Sequence, residues 1–309
     1  MKKKTTMFVS LGLMCITFFL SCEANHETEE TTLNAMLEVP EKVISNADAA
    51  QLFQNDHRTR LSVIGKKESS FEDKAIHYNL NTLIQYIQHL ETIATSKTIP
   101  ITGISFIFGA NNEGKRTNFI MPSTRNAELD YQESFTIENG QFLTFKHIEP
   151  NLTKKDASFN DENLILSPKG YLSYNEAVTL FNEYQTQYIG PFAAKVKRDY
   201  YTKAVWYSLS EIKEYVAYLK KRNQDYNLAI TGIDVFFGVY NEDERLELKS
   251  NAQTVFLTAS TQQQTIINTK GTFLKNFIQN GFFAKESDND TNESLTFNLG
   301  HLSPPPNNN

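Results

Sequence analysis

The residues able to do chemistry are few and lie far apart. In 309 residues there are six histidines and two cysteines, the side chains that most readily act as bases, metal ligands and nucleophiles near neutral pH. His26 falls in a polar N-terminal stretch and His301 near the C-terminus. His77 and His89 stand where a second copy of the same segment has Trp206 and Tyr218, and a position that takes Trp or Tyr in its sister copy reads as packing. That leaves His57, in Asp56-His57-Arg58, and His147, in Lys146-His147, as candidates for catalysis or metal binding. A solvated or capping imidazole is the favoured reading of both. Asp288-Asn289-Asp290-Thr291-Asn292-Glu293 begins like a calcium loop, with oxygen ligands at alternate positions. It departs where such a loop is most demanding, since Glu293 occupies the glycine position and Leu299 replaces the bidentate glutamate. An acidic loop is expected there instead. There is no G-x-S-x-G elbow, H-E-x-x-H pair, phosphate loop or glycine-rich dinucleotide turn. No catalytic residue, metal or cofactor is therefore assigned, and the ligand-binding residues stay open.

Two other chemistries are compatible with the composition. With 36 Asp and Glu, a hydrolase working through paired carboxylates is possible, which requires two acids to converge in one cleft with at least one pKa raised. Aromatic residues cluster at Tyr171…Tyr174, Tyr200-Tyr201 and Trp206-Tyr207, as in a protein that stacks on sugars. Most of them fall at apolar positions of the expected strands and helices, so core packing is the better account.

Cys22 has a different use. Lys2-Lys3-Lys4 precede an apolar run from Met7 to Leu20, long enough for the core of a signal peptide and short for a membrane span. The run ends in Phe19-Leu20-Ser21-Cys22, which resembles the lipobox of bacterial lipoproteins, with Phe19 where leucine is usual. The resemblance implies removal of residues 1–21 and acylation of Cys22 by palmitate-type chains. Each buried CH₂ adds about 0.8 kcal/mol of membrane affinity, so several chains on one residue hold a protein at the bilayer. An uncleaved anchor and a plain secretory signal are competing readings, disfavoured by the length of the run and by Cys22 respectively. Cys15 lies within the signal, so the mature chain has no thiol for a disulfide or a nucleophile.

Without Lys2, Lys3 and Lys4, 27 basic residues face 36 acidic ones, a formal charge near −9. That balance argues against nucleic acid or anionic headgroups as partners, because both need clustered Lys and Arg. The bilayer, through Cys22, is the expected partner, and the outer membrane of a cell envelope is the expected location. Residues 22–40 are polar and acidic and read as a flexible tether.

The elements that position everything else come in two copies. Ile101-Thr102-Gly103-Ile104-Ser105-Phe106-Ile107-Phe108-Gly109 returns 129 positions later as Ile230-Thr231-Gly232-Ile233-Asp234-Val235-Phe236-Phe237-Gly238. From Ala75 to Glu113 against Ala204 to Glu242 no gap is needed, and about a third of the positions are identical, so the chain is duplicated. Each unit reads helix, strand, helix, strand, strand. The first helices open at Ser45 and at the capping box Ser173-Tyr174-Asn175-Glu176; the second follow the short strands at Ala75 and Ala204. Ile104, Phe106 and Phe108, with Ile233, Val235 and Phe237, form apolar inner faces, and Gly232, Asp234 and Phe236 lie outside. Gly103 and Gly232 sit within strands and suit close backbone approach. Asn139-Gly140 between alternating segments marks a tight hairpin.

The organisation expected is a first repeat at 41–148, a linker at 149–170, a second repeat at 171–283 and a loose tail at 284–309, with a short helix from Thr272 to Asn280. The fold class is α+β or α/β, as two related units in a pseudo-two-fold arrangement, each with its own small sheet. In outline this is similar to duplicated modules that bind small ligands between repeats. Gly103-Ile104…Phe108-Gly109 and Gly232-Ile233…Phe237-Gly238, followed by Phe119-Ile120-Met121-Pro122-Ser123-Thr124, resemble uncharacterised lipoproteins of Bacteroidota-type bacteria, and the Gly300…Pro304-Pro305 ending is similar to theirs. The second copy departs from that pattern, with Thr258-Ala259 in place of Pro122-Ser123. The resemblance covers about half of the chain and implies an address and a fold, with no reaction. A non-enzymatic envelope lipoprotein with a binding face between its repeats is the functional expectation, and the polar turns after Gly109 and Gly238, where the copies differ most, are the expected seat of function.

Overall fold

Ser45 opens the first helix as its side chain allows. Its backbone stays extended and its hydroxyl oxygen accepts from the Asp48 amide at 3.1 Å, meeting one of the donors a helix start leaves over. The computed structural model describes residues 39–66, 74–126, 128, 131–155, 163–198, 201–242, 249–260, 294–298 and 300–303. After β1 (Val43–Ile44) and α1 (Asn46–Asp56) come β2 (Ala75–Asn79), α2 (Leu80–Lys97), β3 (Gly103–Ala110), β4 (Arg116–Asn126), β5 (Tyr131–Glu138) and β6 (Gln141–Phe145). Two short strands, β7 (Leu166–Ser167) and β8 (Gly170–Tyr171), precede α3 (Tyr174–Tyr184) and the single turn α4 (Gly190–Ala193). Then follow β9 (Ala204–Ser208), α5 (Leu209–Tyr226), β10 (Gly232–Val239), β11 (Gln253–Ser260), β12 (Thr296–Phe297) and β13 (His301–Ser303). The capping box expected at Ser173 is formed, and Ser208-Leu209-Ser210-Glu211 forms another, with Glu176 and Glu211 reaching back. Asn139 and Gly140 both take positive φ, 52° and 71°, as a primed hairpin turn needs.

The strands form one five-stranded sheet, in the order β1-β12-β11-β10-β2, and one eight-stranded sheet built on β13-β9-β3-β4-β5-β6 with β7 and β8 beside β4. Every pairing among the described residues is antiparallel, so the class is α+β.

The units do not keep their own sheets. β2, from the first unit, pairs with β10 of the second, and β9, from the second, pairs with β3 of the first. Asn79 lies opposite Gly232 and Ser208 opposite Gly103, the same register at an offset of 129. The helices that follow are pinned the same way: the Leu80 amide donates to Thr231 O at 2.9 Å and the Leu209 amide to Thr102 O at 3.1 Å. Close approach at two glycines accommodates the pairing. A Cβ on Gly103 would lie 2.1 Å from Tyr207 O, and one on Gly232 would lie 2.2 Å from His77 Cε1 and 2.7 Å from Tyr78 O. The two glycines let the exchanged strand and its ring settle against the sheet.

Both faces of β3 and β10 are buried over their whole length. Ile104, Phe106 and Phe108 share one core with Val235, Phe237 and the apolar faces of α2 and α5, and the Phe108 and Phe237 rings meet edge to face at 5.0 Å. Ser105, Asp234 and Phe236 do face outward, as alternation requires, but they are covered. α3 packs over β3, with Ile107 and Phe119 against Ala177, Val178 and Phe181. α1 packs over β10, with Phe53 edge-on to Phe236. Gly109 and Gly238, one residue before the ends of these strands, allow that approach: a Cβ there would stand 3.2 Å from Leu180 Cβ and 3.0 Å from Leu52 Cβ. Burying a side chain of this size contributes about 1.5–3 kcal/mol, which explains why the outward row is not left to solvent.

Two further expectations are corrected. The 149–170 linker is not only a connection, because Leu164, Ile165 and Leu166 are fully buried and β7 pairs with β4. The 284–309 tail is not loose at 294–298 and 300–303: β12 pairs with β1 and β11, β13 pairs with β9, and Phe297 and Leu302 enter the core. One or two apolar residues suffice for such strands when a sheet edge is waiting, and they are too few to show periodicity. The helix expected at Thr272–Asn280 lies outside the described residues.

Candidate functional site

At the end of β3 and β10 away from the two ring-covered glycines, the helices change character. α1 runs on into a π-turn, His57–Leu61, and α3 into another, Gln185–Ile189. The two turns lie 128 positions apart. A π-turn widens the helix by a residue and re-aims its side chains, and such turns recur at functional sites.

The turns frame a recess between the units. Arg60, Leu61 and Ile64 line it from the first turn, Arg116 from the start of β4, and Tyr184, Tyr188, Ile189 and Phe192 from the second turn and its flanks. Arg198, Tyr201 and Thr202 complete one wall, and Ala252 and Gln253, entering β11, the other. It encloses about 470 Å³ of unoccupied space counted out to open solvent, but only about 30 Å³ that the centre of a water-sized sphere can occupy.

Its floor is a buried polar network. Arg116 Nη1 donates to Asp56 Oδ2 at 2.7 Å, Gln253 Nε2 donates to Asp56 Oδ1 at 2.9 Å, and the Tyr184 hydroxyl donates to Gln253 Oε1 at 2.9 Å. Asp56 and Arg116 are almost wholly buried, and Arg116 also lies 4.3 Å above the Phe237 ring. On the rim, Arg198 Nη1 donates to Asn251 O at 2.8 Å, and Arg60 Nη2 donates to the same carbonyl while lying 4.4 Å above the Phe192 ring. Lys66 donates to Gly114 O at 3.3 Å and Gln187 Oε1 at 3.2 Å, 4.0 Å above the Tyr188 ring. Burial, with Arg116 adding to it, pushes the Lys66 amine below the usual lysine range. Thr202 is buried, and its hydroxyl meets no hydrogen-bond partner.

The histidines are placed differently from their sequence reading. His147 is neither solvated nor a cap: it is fully buried, Nε2 lies 2.5 Å from Ser303 Oγ, and burial first, then Lys203, pushes its pKa down to about 4 against an opposing backbone bond. Lys203 donates to Ile148 O and Glu149 O, and burial holds its amine at about 8. His57 opens the first π-turn, with its ring 6.1 Å from that of Phe53. His77 packs over Gly232, as expected of a Trp counterpart, but it also meets Asp234 Oδ1 at 2.8 Å and Ser260 Oγ at 3.1 Å through Nδ1. Both partners sit on Nδ1, so this is not the serine–histidine geometry of a hydrolase, in which the nucleophile is on the other nitrogen.

Glu138 and Glu176 converge at the start of α3. Glu138 Oε1 accepts the Tyr174 amide and Glu176 Oε2 accepts the Ser173 amide at 2.7 Å. Burial, with Glu176 adding to it, pushes the Glu138 carboxyl up against the opposing pull of that amide. Glu176 also borders an open groove with Asn111, Asn112 and Glu113 from the turn after β3. Among the described residues, no three His, Cys, Asp or Glu gather as a metal site, and no helix is long and apolar enough to cross a membrane. Cys22, His26, Tyr200, the 288–293 segment and residues 243–248 after Gly238 lie outside the described residues.

Sequence reasoning missed the recess because its arginines are 56 and 82 positions apart and come from three elements. The His77–Asp234 contact did leave a signal: both positions depart from their sister copy, which has Trp206 and Ser105, and two departures that face each other across a ladder mark a changed pair. Set against protein-family models, curated proteins and solved structures, the chain matches none of them.

Proposed function

We propose that this is an envelope lipoprotein, tethered to the outer membrane through acylated Cys22, that binds a small ligand in the recess between its two units without transforming it. The observation that carries the reading is the recess itself, walled by residues of both units and framed by two π-turns at matching positions. The equal registers of the exchanged strands support a pseudo-two-fold pair, the arrangement in which such a recess arises. The resemblance to Bacteroidota-type lipoproteins agrees with the address.

The carboxylate hydrolase has less support. Glu138 and Glu176 do converge and Glu138 is pushed up, but one oxygen of each is committed to an amide at the start of α3, which is a structural task.

The test takes the full chain, expressed with its own leader and extracted in detergent. A panel of neutral, cationic and anionic small molecules should contain at least one that raises the melting temperature saturably, and the rise should shrink in Arg198→Gln. No saturable ligand of any class would remove the binding reading. Cys22→Ser should release the chain from the membrane fraction; a chain still membrane-bound, with its leader removed as before, would remove the address.

A further inference from the structure

We propose that the recess recognises a small oxyanion, a carboxylate or phosphate group on a short apolar stem; this rests on reading the recess as a ligand site. Four cationic side chains, Arg60, Arg116, Arg198 and Lys66, stand in or beside it, on a chain whose formal charge is −6. Charges screen one another over about 8 Å at physiological ionic strength, so the cations at the recess weigh more on a ligand there than the distant acidic residues of the chain do. Asp56 answers Arg116; a cationic ligand would face the same guanidinium groups with no advantage.

The rim is pre-arranged. Arg60 and Arg198 reach Asn251 O from different elements, and Asn251 is itself held at φ 56°. A guanidinium carries five donors in a rigid plane, and a bond from each to one neutral carbonyl holds the two groups side by side at the rim. Arginine forks match carboxylate and phosphate oxygens in geometry as well as charge.

A second, independent observation comes from the wall. Thr202 lines the recess, is only 4% exposed, and its Oγ1 meets no partner. A buried hydroxyl left unmet is unfavourable, and this one faces a recess that can hold a partner for it. An oxyanion supplies the acceptor. Size agrees: a cavity of about 30 Å³ has room for a carboxylate or phosphate group. Leu61, Ile64, Ile189 and Phe192 give the stem an apolar surface.

The experiment measures binding to the full chain in detergent, by calorimetry and melting temperature, at fixed ionic strength in a chloride background. Propionate and inorganic phosphate are titrated beside propanol and propylamine. Saturable binding of propionate or phosphate, with neither propanol nor propylamine binding, is expected, and which of the two binds tells a carboxylate from a phosphate ligand. Arg198→Gln should weaken it about tenfold, the loss of one charge-assisted contact. Thr202→Val should weaken it too while leaving the ligand-free melting temperature equal or higher, which separates a lost contact from a damaged fold. The oxyanion assignment falls if both oxyanions fail while propanol or propylamine binds, and equally if neither substitution changes oxyanion affinity; the recess then still holds a ligand of another class. If no compound of any class binds, this inference and the binding function fall together.

Discussion

Trp206 lies over Gly103 in one sheet and His77 lies over Gly232 in the other, on the same backbone register. Around Trp206 the outward row is neutral: Ser105 Oγ is 2.7 Å from Ser123 Oγ, which is 3.4 Å from Ser134 Oγ. Around His77 it holds a buried carboxylate, Asp234, with Ser260 in the place of Ser123. The surroundings explain the difference. β9 is covered by β13, and the His301 ring lies 5.2 Å from that of Trp206, whereas β2 is the outer strand of its sheet and the His77 side chain stays 28% exposed. A carboxylate can be kept where an imidazole meets one of its oxygens at a partly exposed edge, and it is costly where a further strand closes the sheet. Two sheets with one strand register thus carry two chemistries, chosen by whether the sheet continues.

The largest expected effect tests the frame common to both sites. Gly103→Ala places its methyl 2.1 Å from a backbone carbonyl that cannot turn aside, while in Gly232→Ala the nearest atom belongs to the His77 ring and the nearest carbonyl is 2.7 Å away. Overpacking a core costs about 1–3 kcal/mol and more against rigid backbone, so urea unfolding should show a loss of at least about 3 kcal/mol for Gly103→Ala and a smaller one for Gly232→Ala. Equal, small losses would mean that the two rings do not press on the glycines.

The strand that distinguishes the two sheets, β13, depends on His147 through Ser303. The folded His147 pKa is pushed down to about 4 from 6.5. Between those values the unfolded chain binds a proton that the folded chain does not, so stability falls as pH is lowered from about 6.5 and levels off below about 4. The window corresponds to about 3 kcal/mol. Trp206 is the chain's single tryptophan and pairs with β13, so its emission should shift to the red as pH approaches 4, and His147→Gln should flatten the stability slope. A slope unchanged by that substitution would assign acid sensitivity elsewhere.

Replacing His77 with Trp makes the open edge imitate the closed one and strips Asp234 of its imidazole donor. Losing a hydrogen bond to a charged group costs about 1.5–3 kcal/mol; with His77 partly exposed, about 2 kcal/mol is expected. Adding Asp234→Ser, the residue of the sister copy, should restore most of it. A double-mutant cycle that shows no coupling would mean that His77 and Asp234 are neighbours only by register.

Much of this frame was legible in the residues. The caps at Ser45, Ser173 and Ser208, the Asn139-Gly140 turn, the apolar alternation of β3 and β10 and the structural use of Gly103 and Gly232 are local properties, and local properties are written in neighbouring letters. Strand exchange is not. Ala75–Asn79 reads as a strand whichever β3-like segment it pairs with, and since the two segments are near copies, either partner satisfies its pattern. The same limit hid the recess, whose floor joins Asp56, Arg116 and Gln253 across 197 positions, and it hid β12 and β13, which are too short to show a period.

The smallest effect decides whether charge is what separates the two sites. Ser105→Ala removes one hydroxyl from a neutral row in which Ser123 keeps Ser134 as a neighbour. A neutral hydrogen bond contributes about 0.5–1.5 kcal/mol net, and a buried group that retains another partner loses less than one left with none. A loss of about 1 kcal/mol or less is therefore expected, below that of His77→Trp, whose effect falls on a carboxylate with an oxygen, Oδ2, that already lacks a partner. Should Ser105→Ala in the closed sheet prove as damaging as His77→Trp in the open one, the outward rows would be equivalent packing surfaces. The Asp234–His77 pair would then be a substitution tolerated by the frame and not one selected by the open edge.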